Sequence, residues 1–129
     1  MIAHAGLNVK NYEEGKKFYE RTLKVLGYTM NMDMKEWKAA GFNDGENTDF
    51  WIAEKKEVGP SHIAFEAKSK KLVDEWYKAA LKAGATDNGG PGYRTDYWPG
   101  YYAAFVYDPD GHNVEVVYWD YSKVDKKKK

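Results

Sequence analysis

The sequence predicts an α+β chain made of two βαβββ units in tandem, and three observations carry that prediction. The first is an internal repeat. His4 maps to His62, Asn11 to Ser69, Phe18 to Trp76, Tyr19 to Tyr77 and Leu23 to Leu81, all at an offset of 58 residues. The second is that each copy opens with a short alternating run followed by a segment of helical period. The third is that polar turns then divide the rest of each copy into short strand-like runs.

In the first unit, Ile2–Val9 alternates as a strand and Asn11–Leu26 reads as a helix. Asn11 is a favourable N-cap, Glu14 stands where a capping box needs it, and Gly27 ends the helix. Phe18, Tyr19, Thr22, Leu23 and Leu26 form its apolar face. Tyr28–Met32, Lys35–Gly41 and Thr48–Ala53 follow as strands, with Asn43-Asp44-Gly45 as a turn signal. In the second unit Ser61–Ala67 is the strand and Ser69–Ala83 the helix, capped by Ser69 and stopped by Gly84. Val73, Trp76, Tyr77, Ala80 and Leu81 are the matching face. Asp87 to Gly92 reads as a loop, so the second strand of this unit is poorly marked. Tyr101–Tyr107 and Asn113–Trp119 close the unit around the Asp108-Pro109-Asp110-Gly111 turn.

With 129 residues the chain is long enough for one packed domain, expected over residues 1–122 with modules at 1–58 and 59–122. Residues 123–129 form a Lys-rich, solvated tail. Lys+Arg and Asp+Glu both number 20, a balance that argues against gripping a nucleic-acid backbone. No apolar run approaches the ~18–20 residues needed to span a bilayer. Met1 to Lys10 has no signal-peptide pattern, and the chain contains no cysteine, so a cytoplasmic protein without disulfides or thiolate chemistry is expected.

Strand alternation decides which side chains share a face. Ala5, Leu7 and Val9 should lie on the first helix, leaving His4, Gly6 and Asn8 on the opposite, concave face. Ile63, Phe65 and Ala67 should do the same on the second helix, leaving His62, Ala64 and Glu66 concave. In the last strand Glu115 shares its face with Val117 and Trp119, and a carboxylate in so apolar a run must be paired, hydrated or metal-bound. A lone strand histidine is ordinarily a satisfied core or surface residue. Two at equivalent repeat positions, with one carboxylate, instead suggest a divalent-metal site of His4, His62 and Glu115 with open positions. His112, after Gly111, reads as a plain loop residue. The segment Tyr93–Tyr102 is dense in polar aromatics: Arg94 suits a carboxylate or phosphate clamp, and Tyr97 and Tyr101 offer hydroxyls to an oxyanion. The same aromatics also suit a plain cover over the open end of the sheet.

Ile2–Val9, Phe18-Tyr19, His62-Ile63-Ala64-Phe65 and above all Phe105-Val106-Tyr107-Asp108-Pro109-Asp110-Gly111-His112-Asn113-Val114-Glu115 resemble the vicinal oxygen chelate superfamily of glyoxalases, bleomycin-resistance proteins and extradiol dioxygenases. The resemblance runs from Met1 to about Trp119. It implies a cup-shaped mixed sheet from the paired modules, holding one divalent metal (Zn, Ni, Mn or Fe) on His4, His62 and Glu115. It also implies a homodimer whose metal sites are shared between chains. Glyoxalase I enzymes take a fourth ligand from the last strand of the first module. Aligning the Asp-Gly turns places Asp49 there, whereas aligning the strand cores places Trp51 there as a pocket wall, and periodicity admits both.

The function implied is a glyoxalase-like, metal-dependent enzyme of lyase or isomerase type acting on a small oxygenated substrate. Glu66 and Tyr101 are its candidate catalytic residues, and Trp51, Arg94, Tyr97 and Tyr101 its candidate substrate contacts. The alternatives are an Fe(II) extradiol-type dioxygenase and a metal-free binding protein of bleomycin-resistance type. Neither nucleic acid nor membrane is an expected partner.

Overall fold

A computed structural model describes residues 1–124, which leaves nearly all of the expected Lys-rich tail outside the described residues. The first module comprises β1 (Ala5–Val9), α1 (Tyr12–Lys24), β2 (Thr29–Met34), β3 (Ala39–Asn43) and β4 (Thr48–Glu54). The second comprises β5 (His62–Glu66), α2 (Lys70–Lys82), β6 (Thr86–Asp87), β7 (Gly92–Tyr93), β8 (Tyr101–Tyr107) and β9 (Asn113–Trp119). The first sheet has the order β1-β4-β3-β2 and the second β5-β9-β8-β6, with β7 also on β8. In each module the first strand runs parallel to the last, so the two units share one wiring.

Local chemistry explains the helix ends. The Asn11 side chain accepts from Glu14 N at 3.0 Å, and the Ser69 hydroxyl accepts from Leu72 N at 3.2 Å. At the C-terminal ends Gly27 (φ 92°) and Gly84 (φ 110°) adopt the left-handed conformation that closes a helix. The buried faces are Phe18, Tyr19, Thr22 and Leu23 on α1 and Val73, Trp76 and Ala80 on α2. Leu81 departs from the repeat: it points to solvent, and Leu72 packs on the core instead.

Several element boundaries differ from the sequence reading, four of them in ways that bear on the site or the turns. The first strand begins at Ala5 rather than Ile2, so His4 precedes the ladder. The run Lys35–Gly41 is broken: Lys35–Trp37 is a 3₁₀ turn, Lys38 follows at φ 49°, and β3 starts at Ala39. The Trp37 indole in this turn is 72% exposed, so no buried face holds the run as a strand. The loop after α2 is flanked by two-residue strands, β6 and β7, too short to leave a periodic signal. Finally, β2 extends to Met34, two residues beyond its expected end.

One core serves both modules. Phe50 of β4 meets Phe65 of β5 edge-on at 5.1 Å, and Tyr28 meets the same ring at 5.7 Å. Phe50 also contacts Tyr19 of α1 and Phe42 of β3. Each such ring contributes roughly 1.5–3 kcal/mol by burial alone. Polar contacts close the seam at the other end: Lys10 N donates to Asp110 Oδ1 at 3.2 Å, and the Tyr19 hydroxyl donates to Asp108. There His112, expected as a plain loop residue, is fully buried and bonded at both ring nitrogens.

Candidate metal centre

Parallel pairing of β5 with β9 sets Ala64 opposite Glu115 and His62 opposite Asn113. The outer faces of β1 and β5 are open, with Gly6, Asn8, His62, Ala64 and Glu66 all exposed. Glu115 is the exception on this face, at 3% exposure. Its two oxygens are divided between neighbours. Oε1 lies 3.1 Å from His62 Nε2, and Oε2 accepts the Tyr101 hydroxyl. Burial first, then the bond to Glu115 and its charge, push the Tyr101 hydroxyl well above its ordinary pKa, so it remains a proton donor.

The other ring nitrogen of His62 decides what the site can hold. Nδ1 lies 3.0 Å from the Asn113 carbonyl oxygen, which can only accept. With a proton on Nδ1 to meet that carbonyl, the Nε2 lone pair of a neutral ring faces a carboxylate oxygen, which is equally an acceptor. Two electron-pair donors aimed at each other call for a cation between them, either a proton on the ring or a metal ion. This donor pair, a neutral imidazole nitrogen and a carboxylate oxygen, fits a divalent transition metal. Backing of a ligating imidazole by a carbonyl is the usual outer support of such sites.

The single chain brings together His62, Glu115 and Tyr101, but not His4. That histidine is exposed in the other module, one residue before β1, and its ring has no hydrogen bond among the described residues. Among the described residues of one chain there is no group of three or more His, Cys, Asp or Glu side chains placed to hold an ion.

Register resolves the fourth position. Trp51 pairs with Gly6 as Glu115 pairs with Ala64, and Gly6 and Ala64 are repeat equivalents. Trp51 is thus the counterpart of Glu115, and Asp49 the counterpart of Asn113. The indole lies over Gly41, where a Cβ would come within 3.0 Å of its Cζ2 and Cη2, so β3 leaves the room that the ring occupies. Asp49 accepts from the Tyr28 hydroxyl at 3.2 Å, while its Oδ1 is shut from solvent and has no hydrogen-bond partner among the described residues. Burial, with the nearby Asp44 carboxylate adding to it, raises the Asp49 pKa above its ordinary value despite the Tyr28 bond.

Glu66 is exposed on the His62 face of β5. It borders one cavity of about 570 Å³ with Tyr28, Asp49 and Ala64, and another of about 450 Å³ with Trp119 and Tyr121. Arg94 is spent locally: Nη1 donates to Gly92 O and Nη2 to Gly90 O, both at 2.8 Å, and the guanidinium covers the Phe105 ring. Tyr97 is 65% exposed and meets Tyr101 edge-on at 5.2 Å. The sequence reading left out Trp98, which packs on Trp119 at 5.4 Å and on Tyr121 at 5.2 Å. Trp119 in turn meets Tyr101 at 5.0 Å, so an aromatic wall runs from Glu115 to the surface. The density of aromatics in residues 93–102 was the available signal for it. Nothing in the sequence pointed to the Asn113 carbonyl.

The paired βαβββ modules and the open, histidine-bearing sheet faces define a class. A profile of the Glyoxalase/Bleomycin resistance protein/Dioxygenase superfamily matches residues 1–116, and the chain belongs to that superfamily. Among curated proteins it is 29% identical to the uncharacterized protein YqjT of Bacillus subtilis (strain 168), over 88% of this chain and 95% of that one. Among solved structures it resembles a glyoxalase/bleomycin resistance protein from Albidiferax ferrireducens T118, with TM-score 0.76, 24% identity, and coverage of 90% of this chain and 96% of that one. It also resembles a lactoylglutathione lyase from Agrobacterium tumefaciens, with TM-score 0.67, 22% identity and 92% coverage of both chains. At these identities the structural likeness establishes the fold.

Proposed function

We propose that the protein is a metal-dependent enzyme of lyase or isomerase type, acting on a small substrate that chelates a divalent ion through adjacent oxygens. The observation that carries this reading is the opposition of His62 Nε2 and Glu115 Oε1 at 3.1 Å, with the ring proton held on Nδ1 by Asn113. His62 and Glu115 supply two ligands and His4 the third. Because His4 stands on the other module, exposed and free of hydrogen bonds among the described residues, a second copy of the chain brings it to the site. A homodimer with shared centres is therefore part of the proposal.

Bound there, Zn, Ni, Mn or Fe supplies Lewis-acid polarisation of a substrate oxygen. The chain's own residues do the rest. Tyr101 gives its one O–H to Glu115, holding that carboxylate in one orientation, and leaves its oxygen lone pair to accept from a substrate hydroxyl. Glu66 takes the proton from the carbon beside the substrate carbonyl and carries it at its carboxylate. Trp51, Tyr97 and the Trp98–Trp119 pair wall the groove, and Arg94 braces the loop that presents Tyr97 and Trp98.

The aromatic wall also favours a second reading, a metal-free protein that sequesters a planar ligand. Metal content and affinity of the purified protein, beside His62→Ala, separate the two. A stoichiometric divalent ion in the parent, weakened at least about 100-fold in the variant, supports the enzyme. Negligible binding after deliberate reloading with each of the four metals sinks it, and tight binding of planar aromatic compounds to the metal-free protein then takes its place.

A further inference from the structure

We propose that His112 is a positioning residue for His62: its buried ring fixes the two backbone segments that hold the His62 imidazole in one tautomer and one orientation. The His112 side chain is fully buried. Its Nδ1 accepts the Ser61 N–H at 3.0 Å, and its Nε2 lies 2.7 Å from the Asn8 carbonyl oxygen of β1. A carbonyl only accepts, so His112 is neutral with its proton on Nε2, the opposite tautomer to His62.

These bonds close a ring of contacts around His62. Ser61 is the residue before it. Asn113, the residue after His112, donates its N–H to Ser61 O at 2.9 Å and offers its own carbonyl to His62 Nδ1. The linker makes room for this arrangement. At Gly59 (φ 127°) an added Cβ would stand 2.9 Å from His112 Cε1. Packing alone would need a ring of this volume. It would not need an acceptor aimed at Ser61 and a donor aimed at Asn8.

The repeat supplies an internal control. By register, Thr48 is the counterpart of His112, since it precedes Asp49 as His112 precedes Asn113. The Thr48 hydroxyl oxygen accepts from the Asn31 side-chain amide at 2.8 Å instead of holding the segment before β1. In that module the strand starts one residue after its histidine, whereas β5 starts at His62 itself. The histidine with the cradle is held, and the one without it is not.

This inference rests on the metal-site reading for its consequence but not for its geometry, and the experiment keeps them apart. Long-range ¹H–¹⁵N spectra of the metal-free parent at alkaline pH, where imidazole rings are neutral, should show His62 protonated on Nδ1 and His112 on Nε2. Two variants then divide the ring's functions. His112→Asn keeps an acceptor near Nδ1 and loses the reach to Asn8; His112→Gln keeps the reach and loses the Ser61 acceptor. We expect His62 to retain its tautomer in His112→Asn and to show mixed tautomers in His112→Gln, with Zn²⁺ affinity about 10- to 100-fold weaker in the latter only. An unchanged His62 signature in His112→Gln overturns the proposal, leaving His112 as filling. So does the reverse tautomer of either ring in the parent, a result available even where both variants unfold. If the parent binds none of Zn, Ni, Mn and Fe, the metal reading falls while the tautomer result still decides the role of His112.

Discussion

The two modules share one wiring, the first strand parallel to the last and the last antiparallel to its predecessor, yet they differ at the centre of the sheet. In the second, Glu115 sits between Ala64 and Phe105, sealed from solvent and shared between His62 and Tyr101. In the first, the same place between Gly6 and Gly41 holds Trp51. One module presents a polar donor pair, the other an indole laid across glycine. A repeat with common wiring thus places a buried carboxylate in one half and an indole in the other by changing the side chain at one register position. The residue preceding Asn113 and its counterpart Asp49 differs as well, His112 against Thr48, and of the two repeat histidines His62 is hydrogen-bonded while His4 has no such bond among the described residues.

The largest effect should come from breaking what the modules share. Phe50 belongs to the first module but packs on Phe65 of the second and on Tyr19. We expect Phe50→Ala to cost about 3–5 kcal/mol in urea-induced unfolding, with a single transition throughout. Two separated transitions would show the modules to be independent units joined by a seam.

Trp51→Glu sharpens the comparison by writing the second module's carboxylate into the first. Loss of the indole over Gly41 should cost on the order of 2 kcal/mol. Affinity for divalent metal should rise about tenfold if Trp51 is the spatial counterpart of Glu115 in the assembled site. An affinity no better than the parent's would limit the equivalence to backbone register. Tyr101→Phe should be milder. It strips one donor from a buried carboxylate and should cost about 1–2 kcal/mol, with the His62 pairing retained. A stability equal to the parent's would mean that water replaces the hydroxyl at Oε2.

Much of this division was legible before the fold was known. The 58-residue offset predicted the two units and the equivalence of His4 and His62 because strand, cap and helix face repeat together. Glu115 stood out as a carboxylate in a valine-rich run. Other features depend on partners that sequence periodicity cannot see. Period two places Asp49 and Trp51 on one face, and only the pairing of Gly6 with Trp51 chooses between them. Arg94 read as an anion clamp because a guanidinium forks onto carboxylates and phosphates, whereas here it donates to the Gly90 and Gly92 carbonyls. His112 looked like a turn residue because its burial comes from β1 and from Ser61, both more than 50 positions away.

The smallest effect concerns Asp49, whose counterpart in the second module is Asn113. Burial raises the Asp49 pKa in the folded protein above its unfolded value, so folding favours the protonated form. Its contribution is therefore intact below the unfolded pKa, about 3.9 for an aspartate, and is lost as pH rises through the raised folded value. At neutral pH the ionised carboxylate, with Oδ1 enclosed and unpartnered among the described residues, is a liability that Asp49→Asn removes while leaving an oxygen to accept from Tyr28. We expect the variant to be more stable than the parent by about 0.5–1 kcal/mol at pH 7, with the advantage fading as pH falls towards 3. Unfolding curves of both proteins across that range test the sign. A gain that does not change with pH would trace to the amide's own hydrogen bonds. A loss that grows with pH would mean that the ionised carboxylate has a favourable partner in solution, which would make Asp49 a working residue of the first module rather than a buried remnant of the repeat.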